Sequence, residues 1–372
     1  RTARGTGREL LVPDHAHPAR GLIVRDVTLR DFRSYASLEL SLEPGVVLLH
    51  GPNGAGKTNL LEALHLGTQG FSPRARRDAQ MIRFDAEAAR VRLSGRLGDN
   101  AFTTDLVLTR QDSRRVELNG ERLSSSDLLR RELTTLVFTP DRLAVVKGGP
   151  ATRRAYVDRA VWRLLPARAG AAGEYAAALG QRNAGLRGVR SGHSSLDAVA
   201  PWTEAVVTLG EALVRARIET LGLVAAAFAQ MAGELGLADA TLAYDGVPAS
   251  AEDLAVRLSL DVERGVTGAG PHLHDVRIEA GGRDLRVFGS QGEQRMAVLA
   301  LVLAEAAALR ERHDVSPLVL LDDVLSELDG DRRRALARMI ESGSQTVITA
   351  TATAALPAEP AQTLAVAPGE VR

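Results

Sequence analysis

Eight consecutive residues, Gly51-Pro52-Asn53-Gly54-Ala55-Gly56-Lys57-Thr58, have the types and spacing that cradle a phosphate. The glycines let the backbone curl until its N–H groups face an anion. An apolar run precedes the loop and a helical pattern follows it, so the helix N-terminus adds partial positive charge. Lys57 is placed to reach β- and γ-phosphates, and the Thr58 hydroxyl to bind Mg²⁺. The bland alternative is a glycine-rich strand–helix turn without a ligand. A second constellation lies far down the chain, where the apolar run Val319-Leu320-Leu321 ends in Asp322-Asp323. A strand that ends in acid exposes it at the carboxyl edge of a sheet, where α/β sheets bind ligands. Asp322 is assigned to Mg²⁺, directly or through water, and Asp323 to orienting and polarising an attacking water. Together the two segments imply ATP and Mg²⁺. Taken alone, the acidic pair reads as a strand end with a helix-capping Asp.

The third segment, Gly289-Ser290-Gln291-Gly292-Glu293-Gln294, sits at a helix start about 30 residues before the acids. Free N–H groups, a hydroxyl and the helix dipole suit an anion there. A lone serine N-cap, worth about 1 kcal/mol, is the plain reading. In their order and spacing the three segments resemble the ABC-type ATPases. That resemblance implies that Ser290, Gln291 and Gly292 cap the γ-phosphate held by a second subunit, so that a two-fold dimer sandwiches two nucleotides. It makes Lys57, Asp323 and Ser290 the catalytic set. Ser326-Glu327-Leu328-Asp329 resembles the loop that follows the acidic pair along such a dimer seam, or else is another N-cap. Thr349-Ala350-Thr351 falls where many ABC proteins carry a switch histidine, and a threonine there could hydrogen-bond a phosphate but not act as a strong base.

These segments need elements to position them. Apolar alternation predicts strands at Leu22–Leu29 and Leu38–Leu42, and a buried strand at Val46–His50 ahead of a helix over Lys57–Leu66. Val91–Leu97, Phe102–Leu108 and Arg115–Leu118 read as a meander closed by the Asn119-Gly120 turn, with Leu136–Phe138 as a further strand. From 141 to 239 alanine, leucine and arginine dominate. Helices are predicted at Thr152–Leu165, Ala171–Arg187 and Trp202–Glu234, with a loop over 188–195. Strands return at Thr241–Tyr244 and Asp275–Glu279, and Gly281-Gly282 predicts a hairpin into Leu285–Phe288. Helices over Gln294–Arg310 and Asp331–Glu341 flank strands at Leu318–Leu321 and Thr346–Thr349. The fold class is α/β: an ABC-type ATPase head, with a mixed sheet, a P-loop helix and an antiparallel meander, carrying an inserted and mainly helical second lobe. The head is assigned to 22–140 and 240–372, the insertion to 141–239, and residues 1–21 to a flexible extension.

Composition sets limits. The chain has 372 residues, too many for one small core. Apolar runs such as Leu221–Ala229 fall well short of the roughly 20 residues of a membrane span. No signal peptide opens the sequence, and with no cysteine disulfides are excluded, which allows a cytoplasmic home. Forty-six basic residues balance 46 acidic ones, so no global field announces a polyanion and any such site is local. Only two of the basic residues are lysines, Lys57 and Lys147. A compact ammonium fits a backbone ring where a planar guanidinium does not, which singles out Lys57. Lys147 could contact DNA, a nucleotide across a seam, or nothing.

Further motifs resemble the RecF family of bacterial recombination mediators over residues 22–350. They are Phe138-Thr139-Pro140-Asp141 with Val146–Pro150, Arg153–Arg159, Gln181-Arg182-Asn183, Thr267–His272, Gly289–Arg295 and Leu321–Asp329. Glu293 stands where that family usually has glutamine, and His274 where an acidic pair is usual. The resemblance implies ATP-dependent homodimerisation, slow DNA-stimulated ATP hydrolysis and binding to double-stranded DNA and single/double-strand junctions. It also implies work with RecR and RecO to load RecA, and no membrane partner. SMC-type relatives instead carry long coiled coils in the gap that short helices fill here.

Candidate DNA contacts are Arg74, Arg76 and Arg77; Arg114 and Arg115; Arg153 and Arg154; and Arg182, Arg187 and Arg190. Such contacts are salt-dependent and largely indifferent to sequence; for each cluster the rival reading is a solvated face or an ion-pair network. Aromatics are only 3% of the chain, which supplies a stacking platform poorly and favours duplex backbone. A nucleotide-gated scaffold with negligible hydrolysis and a transport-coupled ATPase are the rival functions, and the motifs of the insertion argue against the second.

Overall fold

The computed structural model describes residues 20–111, 114–340, 345–353 and 356–372; most of the 1–21 extension lies outside them. Its first strand, Arg20–Phe32, begins two residues before the predicted start. That strand pairs antiparallel with Tyr35–Ser41 on one side and with Ala88–Leu97 on the other. Asn100–Thr109, Arg114–Leu118 and a two-residue strand at Glu121–Arg122 complete the meander. Asn119 and Gly120 both have positive φ, 53° and 83°, as a two-residue hairpin of the primed type requires.

A second sheet is built on parallel pairing. Thr135–Phe138, Leu318–Leu321, Thr346–Ala350, Val46–His50 and Gln362–Ala367 lie side by side in that order. A sheet buried on both faces reads as continuous apolar runs, and alternate residues feed opposite cores. Val47, Leu49, Leu318 and Leu320 face the P-loop helix Lys57–Gln69, which is clamped against the meander by Leu60, Leu64 and Leu66. Leu48, Val319, Leu321 and Ile348 face the other way, onto the helix Gln291–His313 and the long helix Ala200–Glu234. Full burial of one such leucine is worth about 1.5–3 kcal/mol, so both faces resist polar substitution.

The helices Pro150–Leu164, Ala171–Arg190 and Ala200–Glu234 form the mid-chain bundle. The long helix serves two cores. Leu221, Val224 and Phe228 join the sheet core, while Val206 and Leu213 pack with Tyr175, Ala178 and Leu254 in a smaller one. A three-stranded sheet, Thr241–Asp245, Asp275–Ala280 and Arg283–Asp284, completes the fold. Gly281-Gly282 makes the predicted hairpin, but the returning strand stops at Asp284. Leu285–Phe288 is a short helix rather than a strand, because the Asp284 carboxylate accepts from the Arg286 N–H and starts a turn. Among the described residues, no helix is long and apolar enough to cross a membrane.

Candidate functional site

The P-loop connects the end of Val46–His50 to the helix that starts at Lys57. Its curl depends on backbone that only glycine tolerates. Gly51 has φ 157°, and a Cβ there would meet the Val366 carbonyl oxygen at 2.2 Å. Gly56 has φ 111°; its carbonyl accepts from the Tyr35 hydroxyl at 3.1 Å, so a Cβ would collide with that ring's oxygen. Lys57 is almost buried, and its Nζ donates to the carbonyls of Gly51 and Pro52 at 2.6 and 2.9 Å. Burial pulls its pKa below the ordinary value, and the carboxylates of Asp323 and Asp322 act in the opposite sense.

The acidic strand arrives beside this loop. Asp322 is buried, and its Oδ1 accepts from the Thr58 hydroxyl at 3.0 Å and from the Thr349 hydroxyl at 2.9 Å. Burial raises its pKa, against the pull of both hydroxyls and of Arg74. A carboxylate desolvated in this way gains from a nearby cation. Mg²⁺ takes one or two protein oxygens and completes its shell with water and phosphate. The adjacent Thr58 and Asp322 oxygens, beside a phosphate loop, fit that requirement.

Asp323 is exposed, with φ 50°, a left-handed conformation uncommon for a residue with a side chain. Its N–H donates to Thr349 Oγ1 at 2.8 Å, which fixes the turn. Strained backbone of this kind concentrates at functional sites. Asn53, Gly54, Lys57, Asp322, Asp323 and Thr349 share one cavity of about 290 Å³. Thr349 thus ties the acidic pair together, a role that its position at a strand end only hinted at.

Two residues of this cavity were not read from the sequence as part of it: Asn59 and Arg74. The sequence places Arg74 among candidate DNA contacts, and the structure turns it toward the phosphate loop instead. It stands 3.6 Å from Glu62, a fully buried carboxylate that Arg33 grips with two hydrogen bonds of 2.9 and 2.7 Å. No motif announces it, since it reaches the cavity by a chain reversal after the P-loop helix.

Ser290, Gln291 and Gly292 are exposed and do not line that cavity. Ser290 caps its helix: its Oγ accepts from the Glu293 N–H at 3.2 Å, and Glu293 accepts from the Ser290 N–H at 2.7 Å. Glutamate completes this reciprocal cap as glutamine can. The plain N-cap reading therefore holds as local geometry, and the 289–294 segment, the signature loop, offers its outward face to solvent. Asp329 caps the next helix, accepting from the Arg332 N–H at 2.9 Å.

Comparison with known proteins places this arrangement. The family model for the RecF/RecN/SMC N-terminal domain matches residues 23–367. The DNA replication and repair protein RecF of Heliobacterium modesticaldum is 34% identical over 342 residues, 88% of this chain and 92% of that protein. The chain belongs to the RecF family. The RecF of Anaeromyxobacter dehalogenans is 39% identical over 329 residues, 83% of this chain and 86% of that one. A solved structure of the recombination mediator protein RecF with ATP, from the RecFOR pathway, superposes with a TM-score of 0.84 at 28% identity. It covers 96% of this chain and 99% of that one. An Smc head bound to the C-winged helix domain of ScpA superposes at 0.58 with 16% identity, covering 94% and 96%, which speaks for the ABC-type head fold alone.

The mid-chain motifs that resemble those of the RecF family hold the bundle together. Arg153 is buried, paired through two hydrogen bonds of 2.7 and 2.6 Å with Asp275, and donates to the carbonyls of Val146 and Gly148. Arg182 is fully buried against Asp261, Thr267 and Thr203 at 2.6–3.1 Å. Asn183 accepts from the Thr267 N–H at 2.8 Å. Arg114 is engaged with Asp78 and the Gly70 carbonyl. These three arginines are excluded as DNA contacts because their guanidiniums are spent inside the fold. Arg154 is half-buried and donates to the His274 carbonyl. Arg76, Arg77, Arg115, Arg187, Arg190 and Lys147 remain exposed.

Proposed function

We propose that this RecF-family chain is an ATP-driven clamp on DNA. Lys57 and the loop from Gly51 to Thr58 hold ATP, and the N–H groups of the loop take the phosphates. Mg²⁺, bound by Thr58 and Asp322, supplies charge neutralisation of the phosphates. Asp323 accepts a hydrogen bond from the water that attacks the γ-phosphorus, and Thr349 keeps Asp323 in its turn. Ser290, Gln291 and Gly292 of a second copy cap the γ-phosphate and complete the site. The chain divides, in this reading, into a head of 22–140 and 240–372 and an insertion of 141–239.

The closed dimer holds double-stranded DNA or a single/double-strand junction through exposed arginines. Slow, DNA-stimulated hydrolysis releases it. The relatives named as recombination mediators of the RecFOR pathway support a role beside RecR and RecO in loading RecA, in the cytoplasm. The observation that carries this reading is the division of the machinery. Phosphate loop, metal oxygens and Asp323 share one cavity, whereas the serine loop stands outside it, exposed. The test is fluorescence anisotropy of a labelled duplex with ATP, ADP or no nucleotide at near-physiological salt. Tight binding with ATP alone is expected, and equal binding in all three states would sink the clamp.

A further inference from the structure

A second concavity, of about 360 Å³, opens where the far end of the P-loop helix meets the helical bundle. Phe71, Arg130, Asp158, Arg159, Trp162 and Arg163 define its character. It is distinct from the phosphate cavity: Gln69, on its wall, is the last residue of the helix that Lys57 begins. At 1.5 Å per residue that separation is about 18 Å.

Its charges do not balance. Arg163 is paired with the buried Glu305, Arg130 with Asp127, and Asp158 is taken by Arg217 at 2.7 and 2.9 Å. Arg159, on the wall, and Arg142, next to it, make no ion pair or side-chain hydrogen bond among the described residues. Among the described residues, two guanidiniums are left over. Burial and the crowding of Arg159 and Arg163 push Arg142 down to about 10, and buried His65 on the neighbouring helix down to about 3. Burial is the larger cause of both shifts, and the neighbouring guanidiniums add to it.

Its aromatics are also unequal. Phe71 already has the Arg130 guanidinium 5.7 Å from its ring centre and the His65 ring edge-on at 4.9 Å. Trp162 has no ring or cation partner among the described residues. A half-buried indole beside an uncompensated guanidinium suits a planar group that carries an anion.

We propose that this concavity takes one unstacked nucleotide of a DNA strand, its base on Trp162 and its phosphate on Arg159. The inference rests on the DNA reading above and sharpens it to junctions: duplex lies on exposed arginines, and the first unpaired nucleotide enters here. An acidic peptide is the less suitable occupant. A chain of carboxylates has no planar face to cover the Trp162 ring, whereas a nucleotide brings a base and an anion together. The first nucleotide beyond the duplex is already unpaired, so entry costs little.

The chain has two tryptophans, so Trp202→Phe leaves Trp162 as the sole indole reporter. With Mg²⁺ and ATP, this variant is titrated with a blunt duplex and with the same duplex bearing a short single-stranded tail. Emission of Trp162 and anisotropy of labelled DNA are read together. Quenching by the tailed DNA alone is expected. Arg159→Glu should then weaken tailed DNA by on the order of tenfold and leave the blunt duplex unchanged. Tailed DNA that binds without quenching, or that is indifferent to Arg159→Glu, overturns the pocket and leaves the clamp standing. No binding of either DNA removes both. Stronger quenching by an aspartate-rich peptide ending in phenylalanine reassigns the concavity to a protein partner and overturns the proposal.

Discussion

The phosphate cavity and the signature loop are built in opposite ways. In the first, Thr58, Asp322, Asp323 and Thr349 come from three separate segments and are joined by hydrogen bonds inside one chain, with Lys57 in the same cavity. The signature loop is local: Ser290 and Glu293 satisfy each other, and nothing of the cavity reaches them. In the proposed function, a site that grips phosphate within one chain but lacks a cap gains its second half from another copy. The difference locates the switch. In that proposal, binding belongs to the monomer and closure to the pair.

Substitutions can separate the two. Asp323→Asn keeps the hydrogen-bonding shape but loses the acceptor charge, so turnover should fall by about 10²–10⁴-fold while ATP binding and dimerisation persist. Steady-state ATPase and nucleotide binding check this, and unchanged turnover removes Asp323 as the water-orienting group. Lys57→Arg puts a fork where a compact cation fits and should weaken nucleotide binding or turnover on the order of 10²-fold, read by nucleotide titration. Thr349→Val leaves the Asp323 N–H without its acceptor and Asp322 with the Thr58 hydroxyl in place of two hydroxyl donors. A fall of about tenfold in kcat, with KM for ATP little changed, is expected. An equal loss in the background of a Ser290 variant that cannot dimerise would place the effect of Thr349 within the single chain rather than in the closed state.

The smallest effect concerns stability. His65, on the P-loop helix, is buried, bonded through Nδ1 to the Phe71 carbonyl at 2.9 Å, and pushed down to about 3. Its folded pKa is below the unfolded value near 6.5. Its contribution is therefore complete above pH 6.5 and lost as pH falls toward 3, by up to about 1.4 kcal/mol per unit. Denaturant melts across that window should show the slope, and His65→Gln should flatten it.

Much of the cavity could be read from sequence because its pieces are contiguous. Val46–His50 and Leu318–Leu321 are strands with the expected bounds, since strands buried on both faces leave unbroken apolar runs. The helix start at Lys57 followed from the loop itself. Leu285–Phe288 misled because Val287 and Phe288 are apolar but two-thirds exposed, so their pattern reflects no core. Asp284 capping settled that segment. Strand Gln362–Ala367, beside the P-loop strand, did not announce itself because two of its apolar residues, Ala365 and Ala367, are weak strand formers on its exposed face. The arginine clusters were least legible. Counting shows where guanidiniums are, and only packing shows that Arg153 and Arg182 are spent inside while Arg74 faces the phosphate loop.

The most direct test of the two-chain site is sedimentation velocity of wild-type protein and Ser290→Arg with Mg²⁺ and ATP, alongside ATP titration of each. Wild-type protein should sediment as a dimer with ATP and as a monomer with ADP. Ser290→Arg should bind ATP as wild type does and remain monomeric. A normal ATP-induced dimer in that variant would contradict the shared site.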